Sequence, residues 1–409
     1  MNNKFIKLLN KKSRLIIGLL SGTSVDGIDA VIVRITGSGP GIKIKIIDFI
    51  THPIPLSVKK SVFKNSSNKT AKIEEITRLN VIVGALFSDA VLKLLKKNKV
   101  NASDVDIIGS HGQTIHHLPG LDKFLGYKVK STFQIGDPAI IANLTGITTI
   151  GDFRIADCAV GGDGAPLVPY LDYVLFRHKK RNRALLNIGG ISNITIIPKN
   201  SAKDKVIAFD TGPGNMLIDG VATLLFNKGY DKNGMIARNG RLDEELFSYL
   251  KSDKYFKLHP PKSTGREHYG SEFIGKIIKK AKGNVKADLV RTVTEFTAYS
   301  VWYNNEMFIK PKHKIDELIV SGGGAENPEI MNSLKKYFKE TKVRKMNDFG
   351  ITVNNKEAVL FAVLANECIA GNAANMKSVT GSTRDVILGK ISIASTSALL
   401  SVNSAKQSR

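Results

Sequence analysis

The segment Ser21-Gly22-Thr23-Ser24-Val25-Asp26-Gly27-Ile28-Asp29 sets small hydroxyls, two glycines and two carboxylates between two apolar runs. A hairpin needs only two turn residues, so this one carries more polar chemistry than chain reversal requires. Glycine lets backbone N–H groups approach phosphate oxygens closely, and Ser and Thr add hydroxyl donors. A carboxylate in such a loop repels phosphate unless Mg²⁺ lies between them. The turn reads as the metal–phosphate end of an ATP site; a solvated, Asx-capped turn is the alternative.

Three more loops follow the same logic. Asn187-Ile188-Gly189-Gly190-Ile191-Ser192-Asn193 supplies paired glycines and amide donors. Phe209-Asp210-Thr211-Gly212-Pro213-Gly214-Asn215 adds Asp210, which could reach a metal or a substrate. Ser321-Gly322-Gly323-Gly324-Ala325-Glu326-Asn327 would let a flat adenine lie against bare backbone. Each loop alone is weak evidence, because glycine turns are often just turns. Together, glycine loops at successive strand ends resemble the layout of the actin, sugar kinase and Hsp70 superfamily.

Chemistry at an acceptor sugar points to Gly151-Asp152-Phe153-Arg154-Ile155-Ala156-Asp157, followed by Gly161-Gly162-Asp163-Gly164-Ala165-Pro166. A kinase needs a general base near the acceptor, and an Arg can bind an acidic substrate group. The competing reading of Asp152, Arg154 and Asp157 is a structural ion pair. His111 lies in Ser110-His111-Gly112-Gln113-Thr114, with His116 and His117 close by. That spacing is not one that zinc uses, so loop structure or a substrate hydrogen bond is the better reading. Pro260-Pro261-Lys262-Ser263-Thr264-Gly265-Arg266-Glu267 is a basic loop that could cross a cleft or contact another subunit. Glu357 opens an apolar helical stretch, where helix-dipole stabilisation is the plain alternative.

These loops need elements to hold them. Arg14–Val33 reads as a strand pair and Ile42–Ile50 as a third strand. Ile73–Lys96 has helical spacing, and Val105–Gly109 is a short buried strand ending at the His111 loop. Pro138–Gly146 is a helix, Ile147–Ile150 a strand. Ala184–Ile188, Val206–Phe209 and Glu317–Val320 are strands that end in the glycine loops, and Ala358–Ala370 is a helix. In open α/β sheets ligands gather beyond the carboxyl ends of strands. The first ten residues and the tail Ser401–Arg409 read as frayed.

With 409 residues, the chain is long enough for two domains. No apolar run reaches the ~20 residues of a membrane span, and the lysine-rich start lacks a signal-peptide cleavage pattern. Cys158 and Cys368 make neither a disulfide framework nor a metal spacing, which fits the cytoplasm. The net charge of +24 suits a small anionic ligand. The lysines are dispersed and aromatics rarely sit among them, so no nucleic-acid platform is expected.

In order along the chain stand SGTSVDGID, GSHGQTIHH, QIGDPAIIA, GDFRIADCAVGGDGAPLVP, NIGGISN, FDTGPGNMLID, PPKSTGRE, SGGGAENP, KEAVLFAVLA and SVTGS. This set resembles the anhydro-N-acetylmuramic acid kinases from about Ile16 to Ile391. General sugar kinases of the superfamily lack GDFR…GGxGAPLVP and PPKSTGRE. The resemblance implies an α/β, two-domain ribonuclease H-like fold with a central ATP and sugar cleft. It places residues 14–150 and 378–400 in one domain and 151–377, with the base, in the other. It implies that ATP and water convert 1,6-anhydro-N-acetylmuramic acid into N-acetylmuramic acid 6-phosphate and ADP, in murein recycling. By match to the family motif, Asp157 is the base. Asp152, Arg154, Glu357 and His111 would contact the sugar, Arg154 being assigned on charge grounds. Gly22, Thr23, Ser24, Val25, Asp26, Gly27, Ile28 and Asp29 would hold phosphates, with Asp26 nearest Mg²⁺. Asn187, Gly189, Gly190, Asp210, Gly212, Gly322, Gly323, Gly324 and Asn327 would complete the ATP site. A homodimer without membrane partners is expected. The rivals are another sugar kinase on this fold, an ATP-driven switch or phosphate-releasing hydrolase, and a basic nucleic-acid-binding protein.

Overall fold

The computed structural model describes residues 3–281, 285–350 and 352–394. Among them are twelve strands: β1 Ser13–Ser21, β2 Gly27–Thr36, β3 Lys43–Pro53, β4 Ile107–Phe124, β5 Tyr127–Ile135, β6 Thr149–Gly151, β7 Arg183–Ile188, β8 Ile191–Ile197, β9 Ile207–Pro213, β10 Glu317–Ser321, β11 Lys342–Lys345 and β12 Lys390–Ser392. The chain divides into two compact units, between Leu175 and Phe176 and again between Val353 and Asn354.

In the first unit the sheet order is β12-β6-β4-β1-β2-β3, with β5 added onto β4. Strands β1 to β3 form an antiparallel meander. Strand β4 then joins β1 in parallel, and β6 joins β4 in parallel. The second unit has the order β11-β10-β7-β8-β9, again an antiparallel meander followed by parallel strands beside its first member. The ribonuclease H-like α/β arrangement is thus present twice.

Strand β1 is apolar on both faces because both faces are covered. Helix Ile73–Asn98 brings Leu79, Val83, Phe87, Val91 and Leu94 onto Ile17, Leu19, Ile28 and Ile32. Gly18 and Gly109 face the other way. A Cβ at Gly18 would lie 1.9 Å from the Ala358 carbonyl oxygen, and one at Gly109 2.0 Å from that of Phe361. Helix Val353–Ile369 therefore rests directly on the backbones of β1 and β4. In the second unit, Leu186, Ile188, Ile194 and Ile196 pack against Leu217, Val221, Val293 and Phe296.

Several expectations change. Strand β4 does not end at Gly109; it continues to Phe124 because β5 pairs with it antiparallel from Gln113 onward. His111 is therefore a strand residue. Asn3–Asn10 is a helix, not a frayed end: Leu8 is buried, and the Leu8 and Leu9 carbonyls accept from the Arg14 guanidinium at 3.3 and 3.1 Å. Residues 401–409 lie outside the described residues. Helix Val353–Ile369 begins a full turn before Glu357, which removes the helix-dipole explanation for that residue. The units do not divide near Gly151 and Ser378. Strand β6 pairs with β4 and β12, and the Asp163 N–H donates to the Thr380 carbonyl at 2.9 Å. Asp157 consequently belongs to the first unit. No helix among the described residues is long and apolar enough to cross a membrane.

Candidate active site

The turn between β1 and β2 is closed by the Val25 N–H donating to the Gly22 carbonyl at 3.1 Å. Val25 sits at φ 52°, a strained region for a β-branched residue, because its side chain is buried in the core. Ile28 is buried likewise. Only the backbones of Val25 and Ile28 can meet a ligand, whereas Gly22, Thr23, Ser24 and Asp26 are exposed. Asp26 forms an ion pair with Lys59, and bonds from Lys59 and Ser24 hold its carboxyl below the usual range. Gln113 supports the turn by donating to the Gly22 carbonyl at 3.3 Å. The other Gln113 side-chain atom, Oε1, and its strand neighbour Ser21 Oγ are buried without partners. Buried polar atoms are nearly always paired, and these two lie beside the turn without a partner.

Arg154 is held at two points. Its Nε donates to His111 Nε2 at 2.9 Å and its Nη1 to the Gly164 carbonyl at 2.8 Å. The His111 Nδ1–H donates to the Gly112 carbonyl at 3.0 Å, which leaves Nε2 as the acceptor that Arg154 requires. Burial, and then the Arg154 charge, push the His111 pKa down to about 3. Gly164 also holds Asp157: its N–H donates to Asp157 Oδ2 at 2.9 Å. Asp157 is fully buried. A Cβ at Gly162 would lie 2.1 Å from its Oδ2, and Gly164 adopts φ 70°. The glycines of the 161–164 turn thus let backbone wrap directly around a carboxylate.

Glu357 is open to solvent yet set in a recess, and loss of hydration raises its pKa. Arg154 pulls that pKa down, while Asp29 pushes it up. Asp29, itself raised by burial, accepts from Thr51 Oγ1 at 2.6 Å. Asp29, Arg154 and Glu357 therefore share one electrostatic site. Asp152 stands apart: it pairs with Lys390 of β12, at φ 54°.

The expected loops of the second unit also come together. Gly189 and Gly190 form the tip of the β7–β8 hairpin, and their carbonyls accept from Asn215, Gly214 and Met216 at the start of helix Asn215–Phe226. A Cβ on Gly322 would strike the Ile188 carbonyl, and one on Gly324 the Ile188 side chain. The Asn187 amide lies 3.4 Å from Ser321 Oγ. Asn327 caps the next helix, its Oδ1 accepting from the Glu329 N–H at 3.0 Å. Gly212 packs against Ser300. Asp210 is held by the Pro260–Glu267 loop, which docks on its own unit: Asp210 Oδ2 accepts from the Thr264 N–H at 3.0 Å, and burial raises its pKa. A cavity of about 350 Å³ adjoins the third glycine loop, lined by Asn215, Asp219, Tyr230, Gly323, Glu326 and Asn327 among others.

The sequence profile of the anhydro-N-acetylmuramic acid kinases matches residues 14–394. The enzyme of that name from Caldanaerobacter subterraneus subsp. tengcongensis is 45% identical over 395 residues, covering 96% of this chain and 100% of its own. This chain belongs to the anhydro-N-acetylmuramic acid kinase family. Another kinase of that name, from Clostridioides difficile, is 45% identical over 375 residues, covering 92% of this chain and 97% of its own. Among solved structures, the activator of the 2-hydroxyisocaproyl-CoA dehydratase from Clostridium difficile is 13% identical. It covers 87% of this chain and 96% of its own at a TM-score of 0.39, too slight a likeness to carry function.

In this anhydro-N-acetylmuramic acid kinase family member, sequence reasoning quoted the motifs that hold Gln113, Lys262, Thr264, Thr380 and the cavity carboxyl Asp219 but gave none of the five a role of its own. Burial and the neighbouring Asp231 push the Asp219 pKa up to about 6. Lys262 is buried over the rings of Tyr255 and Phe308, and desolvation pulls its pKa down to about 8.

The depressed His111 pKa has a pH consequence. The unfolded chain takes up a proton near pH 6.5 that the folded protein refuses until about pH 3. Stability from this group is present above pH 6.5 and is lost as pH falls, by at most about 1.4 kcal/mol per pH unit. Thermal unfolding at pH 7 and pH 4.5 should show a smaller acid-induced loss for His111→Gln than for the parent. An equal loss in both would contradict the neutral, buried imidazole.

Proposed function

We propose that this protein is an ATP-dependent kinase that opens 1,6-anhydro-N-acetylmuramic acid with water and phosphorylates O6. The products are N-acetylmuramic acid 6-phosphate and ADP, and the reaction serves murein recycling in the cytoplasm. The observation that carries the reading is the knot at Gly164, which fixes a carboxylate and a guanidinium side by side within a chain of this family.

The substrate dictates the chemistry. Its O6 is bonded to C1 and has no proton to lose. Water attacks C1, the C1–O6 bond breaks, and O6 attacks the γ-phosphorus as ADP departs. The proton that water loses goes to Asp157, so one base serves both bond changes. Because Asp157 is enclosed, its use requires the 161–164 turn to lift when substrate arrives, uncovering Oδ2. Arg154, held by His111 and Gly164, pairs with the lactyl carboxylate. Glu357 and Asp29 accept from sugar hydroxyls, and Asp152 lies at the margin.

The exposed backbone and hydroxyls of residues 22–26 hold phosphate oxygens. Mg²⁺, when bound, neutralises phosphate charge. The exposed Asp26 carboxylate fits an ion that keeps most of its waters, once Lys59 turns to phosphate. In the second unit the loops at Asn187–Gly190, Asp210–Gly212 and Gly322–Asn327 are the proposed nucleotide contacts, the adenosine lying against Gly323 and the adjoining cavity. A homodimer is the proposed assembly.

The test is ADP release with purified protein and Mg-ATP. Release should depend on the anhydro sugar and yield one sugar phosphate per ADP. ADP without sugar phosphate would instead indicate an ATPase of this fold. In the same assay, Arg154→Lys should raise the sugar KM about tenfold or more, because an ammonium cannot reproduce the two-point hold. An unchanged KM would remove Arg154 from the substrate site.

A further inference from the structure

The carboxylate of Asp157 has a second donor, from far along the chain. Thr380 Oγ1 lies 2.9 Å from Asp157 Oδ1. Two other acceptors are near the same hydroxyl: Ser382 Oγ at 3.2 Å and the Met376 carbonyl at 3.3 Å. One hydroxyl proton cannot serve all three, and an ionised carboxylate at the shortest distance is the strongest acceptor.

The surroundings reinforce that choice. Ser382 Oγ already accepts from Asn375 Nδ2 at 2.9 Å. The Asn375 amide cannot flip, because its Nδ2 also donates to the Arg384 carbonyl at 2.9 Å and its Oδ1 accepts from the Val386 N–H at 2.9 Å. Asp157, Thr380, Asn375 and Ser382 are all buried. In a site that excludes water, such bonds have no solvent competitor. Two oxygens of one carboxylate thus receive two different donors: Oδ2 the Gly164 N–H, Oδ1 the Thr380 hydroxyl.

We infer that Thr380 is a positioning residue for Asp157, its hydroxyl fixing the base as an aimed carboxylate while the Asn375–Ser382 pair leaves that O–H pointed at Asp157 Oδ1. The inference rests on Asp157 being the base. When the glycine turn lifts from Oδ2, Thr380 still holds Oδ1. The carboxylate then meets the attacking water from one fixed direction rather than rotating freely.

The test is the pH dependence of kcat/KM in the anhydro-sugar reaction, with Thr380→Val and Thr380→Ser. Loss of a donor to the charged form makes the carboxylate easier to protonate. In Thr380→Val the acid limb should move to higher pH by about one unit. Its kcat should fall about tenfold, with the KM for ATP unchanged within about twofold. Thr380→Ser should restore both limb and kcat. A structural role alone would lower activity without moving the limb. Around Asp157 stand Arg154 and the neutral Cys158 thiol on its own turn, Asp163 paired with Lys130 of β5, and Glu357 acting on Arg154. They stay in place in every variant, so the shift reads Thr380.

If Thr380→Val fails to fold because a methyl presses on the carboxylate, Thr380→Ala removes the hydroxyl without that contact and gives the same readout. An acid limb unmoved in the folded variant overturns the inference. Asp157→Asn, run alongside, separates the two levels. An inactive Asp157→Asn with an unmoved Thr380 limb defeats only the positioning role. An active Asp157→Asn defeats the base assignment itself.

Discussion

Asp157→Asn is expected to lower kcat by about a thousandfold while the protein stays folded. The loss is that of a general base in the transition state. Asparagine matches the carboxylate in shape, and its oxygen can still accept from Thr380 at the Oδ1 position. Its amide nitrogen would then face the Gly164 N–H, a donor against a donor. One such mismatch costs about 1–3 kcal/mol, or a few degrees in Tm for a chain this long. Activity and thermal unfolding should therefore separate cleanly. Turnover within tenfold of the parent would show that another group accepts the proton.

Gly18→Ala carries the other large effect, and it falls first on stability. The added methyl would sit 1.9 Å from the Ala358 carbonyl oxygen, with the next helix nitrogen, Ala362 N, at 2.9 Å. All of these are backbone atoms, so no rotamer change relieves the clash. Helix Val353–Ile369 must move off β1, at a cost of about 3 kcal/mol. Glu357 immediately precedes Ala358, so the displacement reaches the site, and kcat/KM should fall about a hundredfold. Gly22→Ala is the control. Nothing lies within 4 Å of a Cβ there, so its Tm should stay within a few degrees of the parent. A Gly18→Ala protein as stable as the parent would mean the helix does not rest on β1 as described.

The strands were legible where apolar runs stopped at glycine: β1, β7 and β10 lie close to their expected places. Strand β4 was misread because HGQTIHH is polar and its second residue, Gly112, is a glycine at φ 72°. Nothing local reveals that β5 returns to pair with it. The Asn3–Asn10 helix was missed for a similar reason, since its anchor, Arg14, reads as a surface charge. The glycine loops and the GDFRIAD segment were found because their residue types announce their chemistry. What each carboxylate does there was not legible. Asp152 turns to Lys390, 238 positions away, and Asp157 to Thr380, 223 positions away. Asp152 and Asp157 share one motif, and only tertiary contacts set them apart. Thr380 and Ser382 stand in the SVTGS motif and Asn375 just before it, but none of the three had a role of its own, because buried hydroxyls and amides in a loop look like any polar turn.

Coupled opening and phosphorylation is tested most directly by isotope. The protein, Mg-ATP and 1,6-anhydro-N-acetylmuramic acid are combined in ¹⁸O-labelled water, and the sugar phosphate is read by mass spectrometry. The account predicts one ¹⁸O per sugar, at the anomeric carbon, and none in the phosphate. A phosphorylated sugar without the label, or ¹⁸O carried in inorganic phosphate beside an untouched anhydro sugar, would contradict it.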